Sequence, residues 1–572
     1  MSTISKDASA LASLAEAYWQ QNLHDFPYIG FEHGHPDSSS TLMRESMNDY
    51  AQRTRARKQF EHRLSQLNAQ DLHGQDRLTY GMLARQFRLD AQLEELEDHL
   101  RPNIFPFGPE GLGPMVAAQT ALHGVKDANS YLERLRSLPR SLEEIVERLR
   151  VGVAHGHSLP TVLLDRVIGN IKAHIAREPA ESAWMAPFKS LPADSKDAAA
   201  LRDSALLFLR QGLYPAYIEY ERSISRLYAG GTDSIACRDT PNGEAYYRCL
   251  IEKHTSLTLS PEEIHQIGLD ELASISKRMQ RVADTSGFDG SVSRLRDHLQ
   301  SDPSFILASP KALKERMEVL SKRIDRLVPE FFGTVPRSTY GVESIGLELS
   351  AQMPPAYAQP APANRTSSGI HWITSLPARC PTYMHVPLAL HEAWPGHLMH
   401  IALLEEIADL PNFRRFGALN YTSYIEGWAL YCEGLGEEMG LYEDPFDLFG
   451  RLSMDAWRAA RLVIDTGIHW MGWSREKSIA FLLEHNAMPP EAAAAEVDRY
   501  IGMPGQALAY KLGQLAISRL RATAQKSFGE SFVLRDFHDR LVAAGPVTLP
   551  VLDEFVTQWI EAGSTHFEGV AA

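Results

Sequence analysis

His391-Glu392-Ala393-Trp394-Pro395-Gly396-His397 is the stretch on which the fold and the chemistry turn. It has the form of the H-E-x-x-H motif, in which two histidines one helical turn apart bind zinc and the Glu between them is the general base. Here the second His comes six positions after the first, about 120° away around a regular helix. An unbroken helix cannot turn both rings to one ion. Pro395 clashes with the carbonyl of His391 and removes one helical hydrogen bond, and Gly396 loosens the next peptide. The sequence therefore predicts that the helix bulges or loops out two residues and returns His397 to the metal. Two readings stay open: Pro-Gly simply ends a helix beside two unrelated histidines, or His400, three residues on, replaces His397 as ligand.

The second block lies 29 residues beyond His397, counted to its first carboxylate: Tyr424-Ile-Glu426-Gly-Trp-Ala-Leu-Tyr431-Cys-Glu433. On a helix Glu426 and Glu433, seven apart, share one face, as do Tyr424 and Tyr431. Two carboxylates on an otherwise apolar and aromatic helix are costly to bury without a cation. Glu426 as third ligand completes a set of two His and one carboxylate, the donor set of a catalytic zinc that keeps one position for water. Glu392 is then the base.

Four blocks together, His391–His397, Glu426–Tyr431, Arg461–His469 and Pro504–Gly513, resemble the hallmarks of the bacterial domain-of-unknown-function 885 (DUF885) family, H-E-x-x-P-G-H, E-G-W-A-x-Y, R-L-V-x-D-T-G-x-H and P-G-Q-A-x-x-Y-K-x-G. The likeness covers most of the chain and is densest from about residue 340 onward. That family in turn resembles helical gluzincin peptidases such as angiotensin-converting enzyme, thimet oligopeptidase and the thermostable carboxypeptidases. The resemblance implies a mostly helical body split by a deep groove with zinc at its floor. The motif is two residues longer than the usual one, and dipeptidyl peptidase III, with one extra residue, is a precedent for stretching.

The remaining blocks supply candidates for supporting chemistry. Arg458, Arg461, Asp465 and His469 fall at i, i+3, i+7 and i+11, a polar stripe on a helix that is otherwise apolar. Such a helix is buried, so its polar groups must pair or line a cleft. His469 is a candidate oxyanion donor, Asp465 a partner for Arg461, and Arg461 a candidate substrate contact. Tyr510 is a second oxyanion candidate, and Lys511 or Arg499 a candidate clamp for a peptide's terminal carboxylate. A buried Tyr and a snorkelling Lys are the plain alternatives for Tyr510 and Lys511. His33, His35, His155 and His157 carry little signal.

Outward from these blocks, helical signals dominate. Ser260-Pro261-Glu262-Glu263 has the N-cap, first-turn Pro and third-residue Glu of a helix start, and Ser141-Leu142-Glu143-Glu144 repeats the capping pattern. Met82–Leu100 has helical charge patterning. Ser338–Leu347 and Ile370–Ser375 are the β-like exceptions, and the proline-rich passages Arg101–Pro109 and Met353–Asn364 are expected as extended loops. The expectation is a mainly α, zincin-like chain with a small β element, residues 1–340 forming part of the groove walls and 341–572 the catalytic region.

Composition bounds the partners. The chain has 572 residues, 44% of them hydrophobic, and 57 Lys+Arg against 72 Asp+Glu give a net charge of −15, which disfavours nucleic acid and anionic membrane. Four scattered cysteines and the want of an apolar leader or spanning segment point to the cytoplasm. No phosphate loop, dinucleotide fingerprint or serine-hydrolase elbow occurs. The sequence thus predicts a zinc hydrolase, most simply a peptidase acting on short peptides. The rivals are a metal-dependent amidase on a non-peptide amide and a catalytically silent peptide-binding protein.

Overall fold

Ser260 caps a helix as its sequence requires: its Oγ accepts the Glu263 N–H at 3.2 Å, and Glu263 accepts the Ser260 N–H at 2.8 Å. Helices of this kind make up most of a computed structural model that describes residues 6–27, 42–120, 122–192, 194–351, 353–362, 367–417, 420–486 and 488–563. The chain forms two compact units. The first runs to Cys249 and adds Ile468–Gly472 and Asp498–Pro504; the second holds Leu250–Gly467, Trp473–Val497 and the chain from Gly505. The division thus falls at 249/250 and not at 340/341, because the helices between those points pack with the motif helices.

In the first unit, the longest helix, Val125–Ala154, packs against Tyr214–Leu227 and Lys196–Phe208. It passes straight through the expected start at Ser141. Leu135, Leu138, Leu142, Ile145 and Leu149 form one continuous buried stripe, and that burial outweighs both Pro139 and the local cap signal. The helix expected over Met82–Leu100 runs from Gly74 to Glu95, and Glu97 in the left-handed region (φ 59°) turns the chain into a short 3-10 turn, Asp98–Leu100.

The second unit contains the site. Its helices are labelled α1 (Pro261–Thr285), α2 (Pro310–Phe331), α3 (His385–Glu392), α4 (His397–Glu406), α5 (Thr422–Glu438), α6 (Pro445–His469) and α7 (Ala509–Phe528). Both β-like runs become strands, β1 (Tyr340–Ser344) and β3 (Gly369–Ile373), which pair in parallel. Part of the proline-rich passage expected as a loop is strand β2 (Ala356–Gln359), antiparallel to β3 at the sheet's edge. At an edge the flanking prolines forfeit no ladder bond. Residues 363–364 of that passage lie outside the described residues. The order is β1-β3-β2, with α2 against β1 and with α3 and α4 against β2.

The closest helix pair is α5 with α7. A Cβ on Gly427 would stand 2.5 Å from Gly513 Cα, and one on Gly513 would stand 1.9 Å from the Ser423 carbonyl oxygen. Only glycine at both positions lets the backbones meet, which accounts for the Gly of E-G-W-A and the last Gly of Y-K-x-G. This contact fixes the face of α5 that carries Glu426 and Glu433.

Candidate metal centre

The helix of the first motif half does not bulge; it stops. α3 ends at Glu392, four residues intervene, and α4 begins at His397. The Trp394–Pro395 peptide is cis. Gly396 sits where a Cβ would come within 2.0 Å of the His391 carbonyl oxygen, so the chain can fold back over the end of α3 only with glycine there. The Pro395 carbonyl accepts the indole N–H of Trp428 at 2.9 Å, which ties the break to α5. The outcome is the convergence that the spacing demanded: the rings of His391 and His397 lie 4.7 Å apart, at 87° to one another.

Glu426 Oε2 from α5 lies 3.4 Å from His391 Nε2 and 3.5 Å from His397 Nε2. With metal–ligand bonds of about 2.0–2.2 Å, two ligands of a tetrahedral zinc are about 3.4 Å apart. The two contacts therefore have the length of tetrahedron edges rather than of hydrogen bonds. Glu426 Oε2 and His397 Nδ1 are buried and have no hydrogen-bond partner in the protein. Glu392 also borders the group, one of its oxygens and one nitrogen of each histidine all lying within 4.8 Å of one another. Glu426 thus stands against both rings, and Glu392 borders the same group.

Electrostatics agree with a site built for positive charge. Burial alone would lower the His391 pKa, but the adjoining carboxylates of Glu426 and Glu433 raise it to about 10. Burial would raise Glu426, yet the His397 and His391 rings hold it well below the usual carboxylate range. Glu392 is pushed up by burial, and the two histidines only partly offset this. The pocket of carboxylates retains a proton on an imidazole far above neutral pH, and a divalent cation would meet the same attraction.

Sequence reasoning placed Glu433 on the correct face without a role. Its Oε1 accepts His391 Nδ1–H at 2.8 Å and lies 3.4 Å from Arg458 Nη2, while Glu433 is fully buried. Arg458, from the polar stripe of α6, is thus the counterion of the carboxylate that orients His391. A carboxylate behind a histidine fixes its tautomer and leaves Nε2 as the donor atom. The seven-residue spacing from Glu426 and the stripe position of Arg458 were the signals available for this pair. His400 is not part of the cluster: its ring stacks on Trp428, 4.8 Å away at 25°.

The other candidates are placed elsewhere. His469 was expected to donate to an oxyanion, but its Nε2 donates to the Tyr500 carbonyl at 2.9 Å and its Nδ1 accepts the Cys237 N–H at 3.2 Å. Both nitrogens bond backbone within the first unit, to which His469 itself belongs, and burial lowers the pKa to about 4. Lys511, expected as a clamp for a terminal carboxylate, is buried between Asp455 at 2.7 Å and Glu271 at 2.9 Å, which absorb its charge. Arg461 lies 3.3 Å from Glu496, with its guanidinium 4.4 Å from each of the Trp457 and Tyr510 ring centres. Tyr510 is therefore a stacking partner of Arg461. Asp465 accepts the Gly505 N–H with both oxygens at 3.1 Å. Arg499, in the first unit, lies along the Tyr500 ring. His155 and His157 each hold one oxygen of Glu97, at 2.8 and 3.0 Å. His33 and His35 lie outside the described residues.

Comparison with known proteins gives the family and no activity. No characterised protein matches the sequence. Among solved structures, the chain is similar to "the putative lipoprotein from Colwellia psychrerythraea", with 28% identity, a TM-score of 0.90, and 98% of this chain and 100% of that one covered. It shares its fold with "a putative lipoprotein of unknown function from Shewanella oneidensis", at 15% identity and a TM-score of 0.71 over 96% and 99% of the two chains. Among the described residues no helix is long and apolar enough to cross a membrane. Residues 27–556 match the family described as "Bacterial protein of unknown function (DUF885)", and the chain belongs to it.

Proposed function

We propose that this protein is a zinc-dependent hydrolase that cleaves short peptides. The observation that carries the reading is Glu426 Oε2 standing 3.4 and 3.5 Å from the Nε2 atoms of His391 and His397, with Glu392 beside them. His391, His397 and Glu426 hold the ion, and Glu433 with Arg458 keeps His391 in the donor tautomer. Zinc bound there supplies a Lewis acid that lowers the pKa of water and polarises the scissile carbonyl. Glu392 takes the proton from the attacking water and delivers it to the departing amine, a task suited to a carboxylate whose basicity burial has raised. The zincin-like reading of the fold belongs to this proposal. It is supported by motif helices α3 and α4 packed beside a small sheet, with the third donor on the neighbouring helix α5.

His469, Lys511, Tyr510, Arg461 and Arg499 have no part in it, because each already engages other groups of the chain. The four cysteines, all buried and free, suit a reducing compartment, and the cytoplasm is the proposed location.

Two measurements decide the matter together: the metal content of the purified protein, and peptide cleavage by the wild type and Glu392→Gln. The expected result is about one zinc per chain in both proteins. The variant should turn over about 10²–10⁴-fold more slowly. Short peptides should be cleaved and a stably folded protein spared. Near-normal turnover by Glu392→Gln with zinc bound would remove Glu392 from the mechanism. Zinc binding without cleavage of any short peptide would favour a non-peptide amide or a silent site.

A further inference from the structure

The helix Pro109–Gln119 of the first unit has its polarity inverted. Its sequence, Pro-Glu-Gly-Leu-Gly-Pro-Met-Val-Ala-Ala-Gln, carries one charged residue, Glu110, which is 1% exposed, while Leu112, Met115 and Val116 are partly exposed. An ordinary surface helix is arranged the other way. The Glu110 carboxyl is turned back beneath the start of its own helix: a Cβ on Gly108 would stand 2.6 and 2.8 Å from its two oxygens. Neither oxygen has a hydrogen-bond partner among the described residues.

Among the described residues no cation stands at this carboxyl. The helix packs against Ala183–Ser190 and Thr161–Ile175, and Tyr217 of Tyr214–Leu227 reaches its first turn. Ala183–Ser190 presents the uncharged Trp184 ring to Gly113. From Thr161–Ile175, His174 meets the Glu110 backbone and not its carboxyl. Tyr217 and Tyr220 are neutral phenols, which burial holds above their usual range. The charged side chains of these three elements are exposed, except Glu221, which lies 3.7 Å from Lys172. Arg148, whose charge reaches Tyr220, stands 3.4 Å from Glu45. Burial therefore acts on Glu110 almost alone: its carboxyl is pushed up to about 8, offset in part by its own backbone N–H.

The helix that keeps this carboxyl inside is weak by sequence. Gly and Pro are the poorest helix formers, and Gly111, Gly113 and Pro114 all lie within it. Gly108 supplies no side-chain cap, and Pro114 has no N–H for the Glu110 carbonyl four residues back. Tertiary bonds take over: His174 Nε2 donates to the Glu110 carbonyl at 2.7 Å, and the Tyr217 hydroxyl donates to the Pro109 carbonyl at 2.9 Å. A carboxylate without a partner is costly to keep buried, and a segment with so little support of its own can release it by opening locally.

We propose that the helix Pro109–Gln119 is a pH-gated segment, packed while the Glu110 carboxyl is protonated and opening when it ionises. In the open form Glu110 returns to its ordinary value of 4.5, against about 8 in the packed form. Each pH unit between those values therefore favours opening by up to ~10-fold, and the dependence ends above the higher one. His174, lowered by burial, favours opening only as pH falls below 6.5, and the two tyrosines titrate above 10. The range from pH 6.5 to 8 thus belongs to Glu110. The gate does not depend on the hydrolase reading.

The test is amide hydrogen exchange of the full chain, as wild type and as Glu110→Gln, at pH 6.5 and 8. Intrinsic amide chemistry cancels in the ratio of the two proteins at each pH. For peptides covering Pro109–Gln119 the ratio of wild-type to variant exchange should rise about 10-fold from pH 6.5 to 8, while for Val125–Ala154 it stays constant. An unchanging ratio in Pro109–Gln119 would overturn the proposal, because the carboxyl would then ionise in place. So would an equal rise across Val125–Ala154, which would make the whole unit respond and not this helix. If Glu110→Gln does not fold, the wild type decides alone: exchange in Pro109–Gln119 relative to Val125–Ala154 should rise by the same factor, and a constant value would refute the gate.

Discussion

His385 and His391 stand near the two ends of one eight-residue helix, both buried, and the structure treats their protons in opposite ways. His385 Nε2 donates to the Cys380 carbonyl; burial lowers its pKa to about 4, against which that hydrogen bond works only partly. Two turns on, His391 is held by Glu426 and Glu433 and rises to about 10. The contrast extends beyond the helix. His400, stacked on Trp428, and His538, stacked on Phe332 and bonded to Tyr431 and the Phe331 carbonyl, are pushed down by burial, His538 to about 3. Burial alone makes a neutral packing residue of a histidine, and burial beside carboxylates makes a site that seeks a cation. The second unit thus holds a region where histidines are packed with rings and one where they are packed with acids.

The largest effect that could break this division is all-or-none. His397→Phe should abolish metal binding, whereas His400→Phe, three residues further along α4, should keep about one zinc per chain, since it replaces one ring stacked on Trp428 by another. Elemental analysis of the two variants settles it. Loss of metal from His400→Phe with retention in His397→Phe would reverse the ligand assignment and move the acidic region by one helical turn.

A smaller effect concerns charge buried without histidine. Lys511→Met leaves Asp455 and Glu271 facing each other without their shared cation, and removal of one partner from a buried ion pair costs about 3–5 kcal/mol. Denaturant unfolding should show that loss. Matched free-acid and amidated peptides should lose rate in equal proportion in this variant. A loss confined to the free acids would restore Lys511 as a carboxylate clamp.

How much of this was legible follows the same division. The convergence of His391, Glu392, His397 and Glu426 could be read because it is written in residue type and spacing, and a helix break at Pro395-Gly396 was needed whatever its form. The form was read only in part: a bulge or a looped-out pair of residues was expected, with a plain helix end as the alternative, and the chain ends one helix and begins another, tied through Pro395 to Trp428, 33 residues further on. Helical character was legible from caps and periodicity. The false start at Ser141 shows its limit, since a local cap cannot reveal that the apolar stripe on either side is buried without interruption. His469 and Lys511 were misassigned for a related reason: a buried polar residue on an apolar helix must have a partner, and whether that partner is substrate, backbone or carboxylate is decided by contacts distant in sequence.

The histidines that burial alone keeps neutral also make a prediction in pH. His385, His469 and His538 titrate in the fold near 4, 4 and 3, against about 6.5 in the unfolded chain. Because the folded pKa is depressed, their contribution to stability is complete above 6.5. It is lost as pH falls from 6.5 toward 4, where the unfolded chain takes up protons that the fold refuses. Each contributes a slope of up to about 1.4 kcal/mol per pH unit. Urea midpoints should therefore fall between pH 6.5 and 5, above the range in which ordinary carboxylates titrate. His371 and His400 are depressed by burial in the same way, so His469→Gln should reduce the slope by no more than about a fifth. A flat profile in the wild type would mean that these rings are open to protons and that the two regions differ less than their packing implies.

The smallest expected effect tests the acidic region from behind. Glu433 does not face the proposed ion; it accepts His391 Nδ1–H at 2.8 Å and is itself paired with Arg458 at 3.4 Å. Glu433→Gln retains an oxygen that can accept the imidazole proton but loses the charge that raises the ring's basicity. Such partners behind a metal ligand are typically worth about 10–100-fold in metal affinity, or about 1.4–2.7 kcal/mol. Competition with a chromophoric chelator should show zinc held more weakly by that factor, while turnover per bound zinc stays close to that of the wild type, because Glu433 positions a ligand and touches no reacting atom. Unchanged affinity would make Glu433 no more than the counterion of Arg458. A large fall in turnover at full zinc occupancy would bring it into the chemistry and extend the acidic region by one more working residue.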